Sequence, residues 1–205
     1  MEAQAERQVR AWFPSLRPIR QADRLVFTFF REFNRFLNRG TSSWCRVLDD
    51  KLLFSGFLAG IGISTPATHW VVSRGHAASA SGERVPIEEL AQRLQAGRWF
   101  VKPRANEGGK GAFLLQDGAV TTAEGQSDAG DPAAILKLLD GSEDLLVQDA
   151  VVQTAEYASF APSSLNTVRC LTYLTRAGSA QVVAAIMRMG NGRSVVDNTA
   201  SGGIY

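Results

Sequence analysis

Apolar positions along the chain change their period several times, and the changes mark out its elements. From Asp23 to Asn38 they recur at Val26, Phe29, Phe30, Phe33, Phe36 and Leu37. That spacing predicts a helix with an aromatic packing stripe, and Gly40 is a suitable stop. Residues 1 to 20 mix charge with Pro14 and Pro18 and read as a loosely ordered arm. In "LDDKLLFSGFLAGIGISTP", Asp49 or Asp50 caps a short helix reaching about Ala59. Leu52, Leu53, Phe57 and Leu58 form its apolar side, and Gly60 and Gly62 close it before Pro66.

The period then shortens to two. "THWVVS" reads as a strand, "IEELAQRLQA" returns to helical spacing after Pro86, and "RWFVKP" is a strand closed by Pro103. "AFLLQ" and "AVTT" flank "DG", a strong hairpin signal. Residues 123 to 131 read as a polar loop, and "PAAILKLLD" as a helix with Pro132 near its start. "DLLVQDAVVQ" is a strand running into a connector. "TVRCLTYLTRAGSAQVVAAIMRM" predicts two long strands about a turn at Ala177 to Ser179, and "GNGRSVVDNTASGGIY" a glycine-rich loop. Helices and strands alternate first and paired antiparallel strands follow, which implies an α+β architecture with helices on mixed or antiparallel sheets.

Composition narrows the function classes. The 205 residues allow one large domain or two small ones. A formal net charge of +2 gives no field aimed at nucleic acid or membrane. The arginines of the first fifty residues alternate with acids and with the aromatic stripe, so no nucleic-acid partner is expected. "RLVFTFFREFNRFL" is too short and too charged for a bilayer span. No signal-peptide pattern opens the chain, so a cytoplasmic location is expected. Cys45 and Cys170 lie too far apart to read as a disulfide framework or zinc site, and both are expected as buried small hydrophobes. His69 and His76 are expected at the surface.

Eighteen arginines stand against four lysines, Lys51, Lys102, Lys110 and Lys137. A chain so biased keeps lysine where a compact ammonium matters, and two of the four lie in "FVKPRANEGGKGAF". Its glycines allow φ > 0 and let backbone N–H groups approach an anion. Gly111 follows Lys110 where a Walker A loop needs Ser or Thr, and no G-x-G-x-x-G opens a helix. A glycine loop between antiparallel strands, with lysine on the incoming strand, fits another way of covering nucleotide phosphates. Taken alone, the stretch reads first as a charged hairpin turn.

Its neighbours extend the reading. "DDKLLFSGFLAGIGISTP", then "WFVKP…NEGGKGAF", then "LLVQDAVVQ", "SLNTVRCLTYLT", "VVAAIMRMG" and "VVDNTASGGI" together resemble the ATP-grasp superfamily. They most resemble its sugar-transfer-associated branch, close to the α-L-glutamate ligase-like proteins. The resemblance covers roughly residues 45 to 205, leaving residues 1 to 44 as an N-terminal arm and amphipathic helix. It implies two α+β subdomains that grip ATP between antiparallel sheets. Position by position, it implies that Lys51 and Lys102 are the nucleotide lysines and that Gly108, Gly109, Lys110 and Gly111 form the phosphate-covering loop. Gln148, Asp149, Ala150 and Val151 become the connector at the adenine edge, with Gln153 or Glu156 at the ribose. Arg169 and Arg188 lie near the phosphates or an acyl phosphate. Asn198, with Gly202 and Gly203, lines the acceptor or phosphate end. The implied activity is carboxylate ligation through an acyl phosphate, with ATP and an unidentified carboxylate as ligands. The plainer readings make Lys51 a solvated helix lysine, Lys102 an edge-strand lysine, the two arginines partners of structural acids and Asn198 a turn former.

The resemblance also implies Mg²⁺, held by an aspartate strand and a Glu-x-Asn strand late in the family pattern. After Glu156 the only acid here is Asp197, and Tyr205 follows "ASGGI" directly. The expectation is therefore an ATP-grasp domain incomplete at its C-terminus, a fragment of a longer ligase without metal ligands and inactive alone. The alternative is a nucleotide-binding module without catalysis.

Overall fold

A computed structural model of the chain describes residues 47 to 204, apart from Glu107, Gln126 and Ser142. The predicted arm, the aromatic helix Asp23–Asn38 and Cys45 lie outside the described residues. The described residues belong to one compact unit, Val47–Tyr205.

Helix α1, Lys51–Gly60, begins at Asp50, whose carboxylate accepts from the backbone N–H groups of Leu52 and Leu53 at 3.0 and 3.1 Å. Strand β1, Thr68–Ser73, follows. β2, His76–Ser79, and β3, Arg84–Pro86, come next and do not appear in the sequence reading. Helix α2 spans Ile87–Arg93, and β4 covers Arg98–Pro103. The predicted hairpin is β5, Phe113–Gln116, and β6, Ala119–Thr122, with Asp117 and Gly118 at positive φ in its turn. The expected polar loop contains a short strand, β7, Ser127–Ala129. Helix α3, Pro132–Leu139, is capped by Asp131, and β8, Leu145–Asp149, leads into the connector. A single helical turn, α4, Ala155–Ala158, precedes β9, Thr167–Leu174, and β10, Ala180–Arg188.

Eight strands form one sheet in the order β3-β2-β1-β8-β4-β5-β6-β7, and β9 with β10 forms a separate ribbon. Every pairing is antiparallel, so the architecture is α+β with antiparallel sheets and no mixed sheet among the described residues. Period-two alternation sorts the large sheet into two faces. Val101, Phe113, Leu115, Leu145 and Val147 face the core with Leu90 and Leu94 from α2 and its exit, and Ile135 and Leu139 from α3. The intervening residues Arg98, Phe100, Lys102, Leu114 and Gln148 take the other face. Register joins them there: Phe100 lies opposite both Gln148 and Leu114. Val195 and Val196 pack over this second face against Ala112 and Ala123, with Phe100 and Leu114 alongside. Cys170 is exposed on β9, contrary to the expectation of burial, because much of the β9–β10 ribbon is uncovered among the described residues.

Candidate functional site

A cleft of about 450 Å³ opens on the second face of the large sheet, within the usual size range of small-molecule sites. Strand alternation supplies its floor: Arg98, Phe100, Lys102, Leu114 and Gln148 all line it. Lys51 of α1, Gly109 and Lys110 of the glycine loop, Asp149 to Gln153 of the connector, and Val195 to Asn198 complete much of the wall.

At one end Lys102 is largely buried, and it has no carboxylate partner among the described residues. Burial, and secondarily the Lys51 ammonium, push its pKa below the ordinary lysine value. Lys51 itself is engaged: its Nζ donates to the carbonyl of Arg104 at 3.4 Å and to that of Asn106. Its backbone N–H also donates to the Arg104 carbonyl, at 3.1 Å. Arg104 in turn grips Asp50, with Nε and Nη2 at 2.9 and 2.7 Å from Oδ2. Helix α1 is thus stapled to the entrance of the glycine loop. These contacts join residues 53 to 55 positions apart and leave no periodic signal in the sequence.

The loop itself requires glycine at two close approaches. Gly109 has φ +76°, and a Cβ there would lie 2.6 Å from Asn198 Nδ2. Gly111 has φ +71°, and a Cβ there would lie 3.1 Å from the Pro103 ring. Lys110 stands between them, exposed at the cleft.

At the other end Gln148 is buried, and its Nε2 donates to Thr68 Oγ1 at 2.7 Å. The Asp149 carboxylate meets His69 Nε2 at 2.7 Å, and the His69 ring stands edge-on to Trp99. Beyond Asp149 the strand pairing stops. The backbone groups of Ala150, Val151 and Val152 make no hydrogen bond among the described residues. A row of open donors and acceptors beside the apolar Phe100 and Leu114 can receive a planar heterocycle edge-on.

The structure therefore brings Lys51, Lys102, Gly109, Lys110, Gln148, Asp149, Ala150, Val151, Gln153 and Asn198 to one cleft. It does not bring all the anticipated residues there. Gly108, Gly111, Glu156, Arg169 and Arg188 do not line it. Glu156 is exposed on α4. Gln153 faces the cleft but is spent on its wall: Nε2 donates to the Ser164 carbonyl at 2.7 Å and Oε1 accepts from Asn166 N–H at 3.0 Å. Arg169 is exposed on β9 opposite Ile186. Arg188 pairs with Asp197 at 3.0 Å, both nearly buried, and donates to Asn198 Oδ1.

Magnesium does not fit the residues described here. Asp197 Oδ1 is taken by Arg188 and Oδ2 by the Thr167 hydroxyl, and Asn198 Oδ1 is also taken by Arg188. No group of three potential His, Cys, Asp or Glu ligands occurs among the described residues. No helix among them is long and apolar enough to cross a membrane.

The sequence reading missed Thr167 and Asp197 in the cleft, Asp50 and Arg104 behind Lys51, and Arg98, Phe100 and Leu114 of the floor. The floor did have a signal, since the alternation of "RWFVKP" puts Arg98 and Phe100 on the face of Lys102. Comparison with protein families gives a match to sugar-transfer associated ATP-grasp over residues 28–205. That match begins inside the predicted aromatic helix. Neither the curated proteins nor the solved structures give a match.

Proposed function

The chain belongs to the sugar-transfer associated ATP-grasp family, and on that premise we propose that its cleft holds ATP for an ATP-dependent carboxylate ligase. The observation that carries this reading is Lys102. A largely buried ammonium beside a second ammonium, with no carboxylate partner among the described residues, is costly unless an anion arrives. A polyphosphate under the Gly109–Lys110 loop supplies that anion, and the open backbone of Ala150 to Val152 suits the purine. In the proposed reaction a carboxylate oxygen bonds to the γ-phosphorus while the bond to the β-bridging oxygen breaks and ADP leaves. A nucleophile then attacks the acyl carbon and phosphate departs. The side chains here position and neutralise charge rather than form covalent bonds.

Calorimetry with ATP tests the site. Binding by the intact chain and its loss in Lys102→Ala is the expected pair of results. Equal ATP affinity in the two proteins would overturn the assignment. A second reading, a nucleotide-binding module without catalysis, is favoured by the engagement of both Asp197 oxygens with Arg188 and Thr167. Release of ADP and phosphate dependent on an added carboxylate separates the two, since the module binds ATP without turnover.

A further inference from the structure

Four side chains meet where the glycine loop closes on the segment before the last 3₁₀ turn, Thr199–Ser201. Asp197 is nearly buried and its oxygens are divided, Oδ1 at 3.0 Å from Arg188 Nη2 and Oδ2 accepting from Thr167 Oγ1. The same Arg188 Nη2 donates to Asn198 Oδ1. A guanidinium has no acceptor, so this contact fixes which end of the Asn198 amide is oxygen. Nδ2 must then point the other way. It stands against the glycine loop, 2.6 Å from where a Gly109 Cβ would be, and donates to no acceptor among the described residues. Backbone contacts hold the turn in place, since Ser201 and Gly203 N–H both donate to the Asn198 carbonyl at 2.9 Å.

We propose that Asp197, braced by Thr167, is a positioning residue that fixes Arg188 and aims the Asn198 amide N–H at the terminal phosphoryl group of a triphosphate lying under the glycine loop. This inference rests on the nucleotide reading and adds the residues that distinguish a triphosphate from a diphosphate. Arg188, its charge matched by Asp197, then acts through Asn198 rather than as a phosphate ligand itself. Lys102, Lys51 and the connector serve both nucleotides, whereas Asn198 meets only the longer one.

The test is calorimetric titration of the full chain with ATP and separately with ADP, using Thr167→Val, Asp197→Asn, Asn198→Ala and Thr167→Ser. Thr167→Val, Asp197→Asn and Asn198→Ala should each weaken ATP about tenfold while ADP stays within about twofold, as loss of one charge-assisted contact predicts. Thr167→Ser keeps the hydroxyl and should behave as the parent. Combining Thr167→Val with Asn198→Ala should cost no more than Asn198→Ala alone. Equal weakening of ATP and ADP, or none, overturns the positioning role while leaving the nucleotide site standing. Failure of the parent chain to bind either nucleotide removes that site and this inference together. If Thr167→Val or Asp197→Asn does not fold, Asn198→Ala gives the decision alone.

Discussion

Burial of Lys102, reinforced by the nearby Lys51, disfavours its ammonium in the folded chain and holds its pKa below the unfolded value of 10.5. Between the folded and unfolded values the unfolded chain binds more protons, so stability rises with pH through that window. Below the folded value the penalty is present in full. Lys102→Met keeps the apolar stem and removes the charge. It should raise the melting temperature near neutral pH by a few degrees and abolish the alkaline rise, as thermal melts from neutrality to pH 10.5 would show. The same variant should lose ATP binding, because the strain it relieves is the attraction for the anion. The parent's ATP affinity should correspondingly fall as pH climbs past the folded value of Lys102. Gly109→Ala probes the opposite wall. Its Cβ meets Asn198 Nδ2 at 2.6 Å and Val196 Cγ2 at 3.1 Å, at φ +76°. The loop should lift from its seat, reducing ATP affinity at a stability cost of about 1 kcal/mol. Parallel calorimetry and urea melts separate the two effects.

Between elements, the decisive joint is the one linking α1 to the glycine loop through Asp50 and Arg104. The Arg104 hydrogen bond is the largest influence holding the Asp50 carboxyl below its usual range, and the helix-cap N–H groups of Leu53 and Leu52 add to it. A depressed carboxylate contributes stability above its unfolded pKa and loses it as pH falls through the folded one. Asp50→Ala removes cap and ion pair together. It should cost about 1–2 kcal/mol in urea unfolding at neutral pH, and the cost should shrink in acid. Much of this level was legible in the chain. A cap at Asp49 or Asp50, β1, β4 and the hairpin about Asp117 and Gly118 announced themselves through local chemistry, the fold selecting Asp50, and Lys102 stood out because the chain uses lysine so rarely. Strands β2, β3 and β7, with sequences HAAS, RVP and SDA, are too short to show a period, and tertiary pairing makes them strands. The Asp50–Arg104 and Thr167–Asp197 contacts were illegible for a different reason. Each joins acceptor and donor across 54 and 30 residues, and only the folded chain brings them together.

At the scale of the whole unit, the two sheets are stabilised very unequally. Strands β8 and β4 lie in the middle of an eight-stranded sheet, with Val101, Leu146 and Val147 wholly buried. Among the described residues the β9–β10 ribbon has only its own pairing, and Val168, Tyr173, Val182 and Val183 are each more than half exposed. Local opening costs least where few apolar contacts must be broken. Native-state hydrogen exchange should therefore find the amides of Thr172 and Ala184 exchanging well before those of Val101 and Val147. Among the described residues, Arg188 and Thr167 sit at the end of the ribbon that is tied down, through Asp197 and through the bridge from Met189 to Ile204. Protection should accordingly rise along β10 from Gln181 toward Arg188. ATP should increase it further at Arg188 and Thr167 while leaving Gln181 unchanged, because the cleft reaches the ribbon at its Thr167 end, beside Asp197 and Asn198. Uniform protection along β10, or a uniform gain with ATP, would show that the ribbon moves as one rigid body with the cleft.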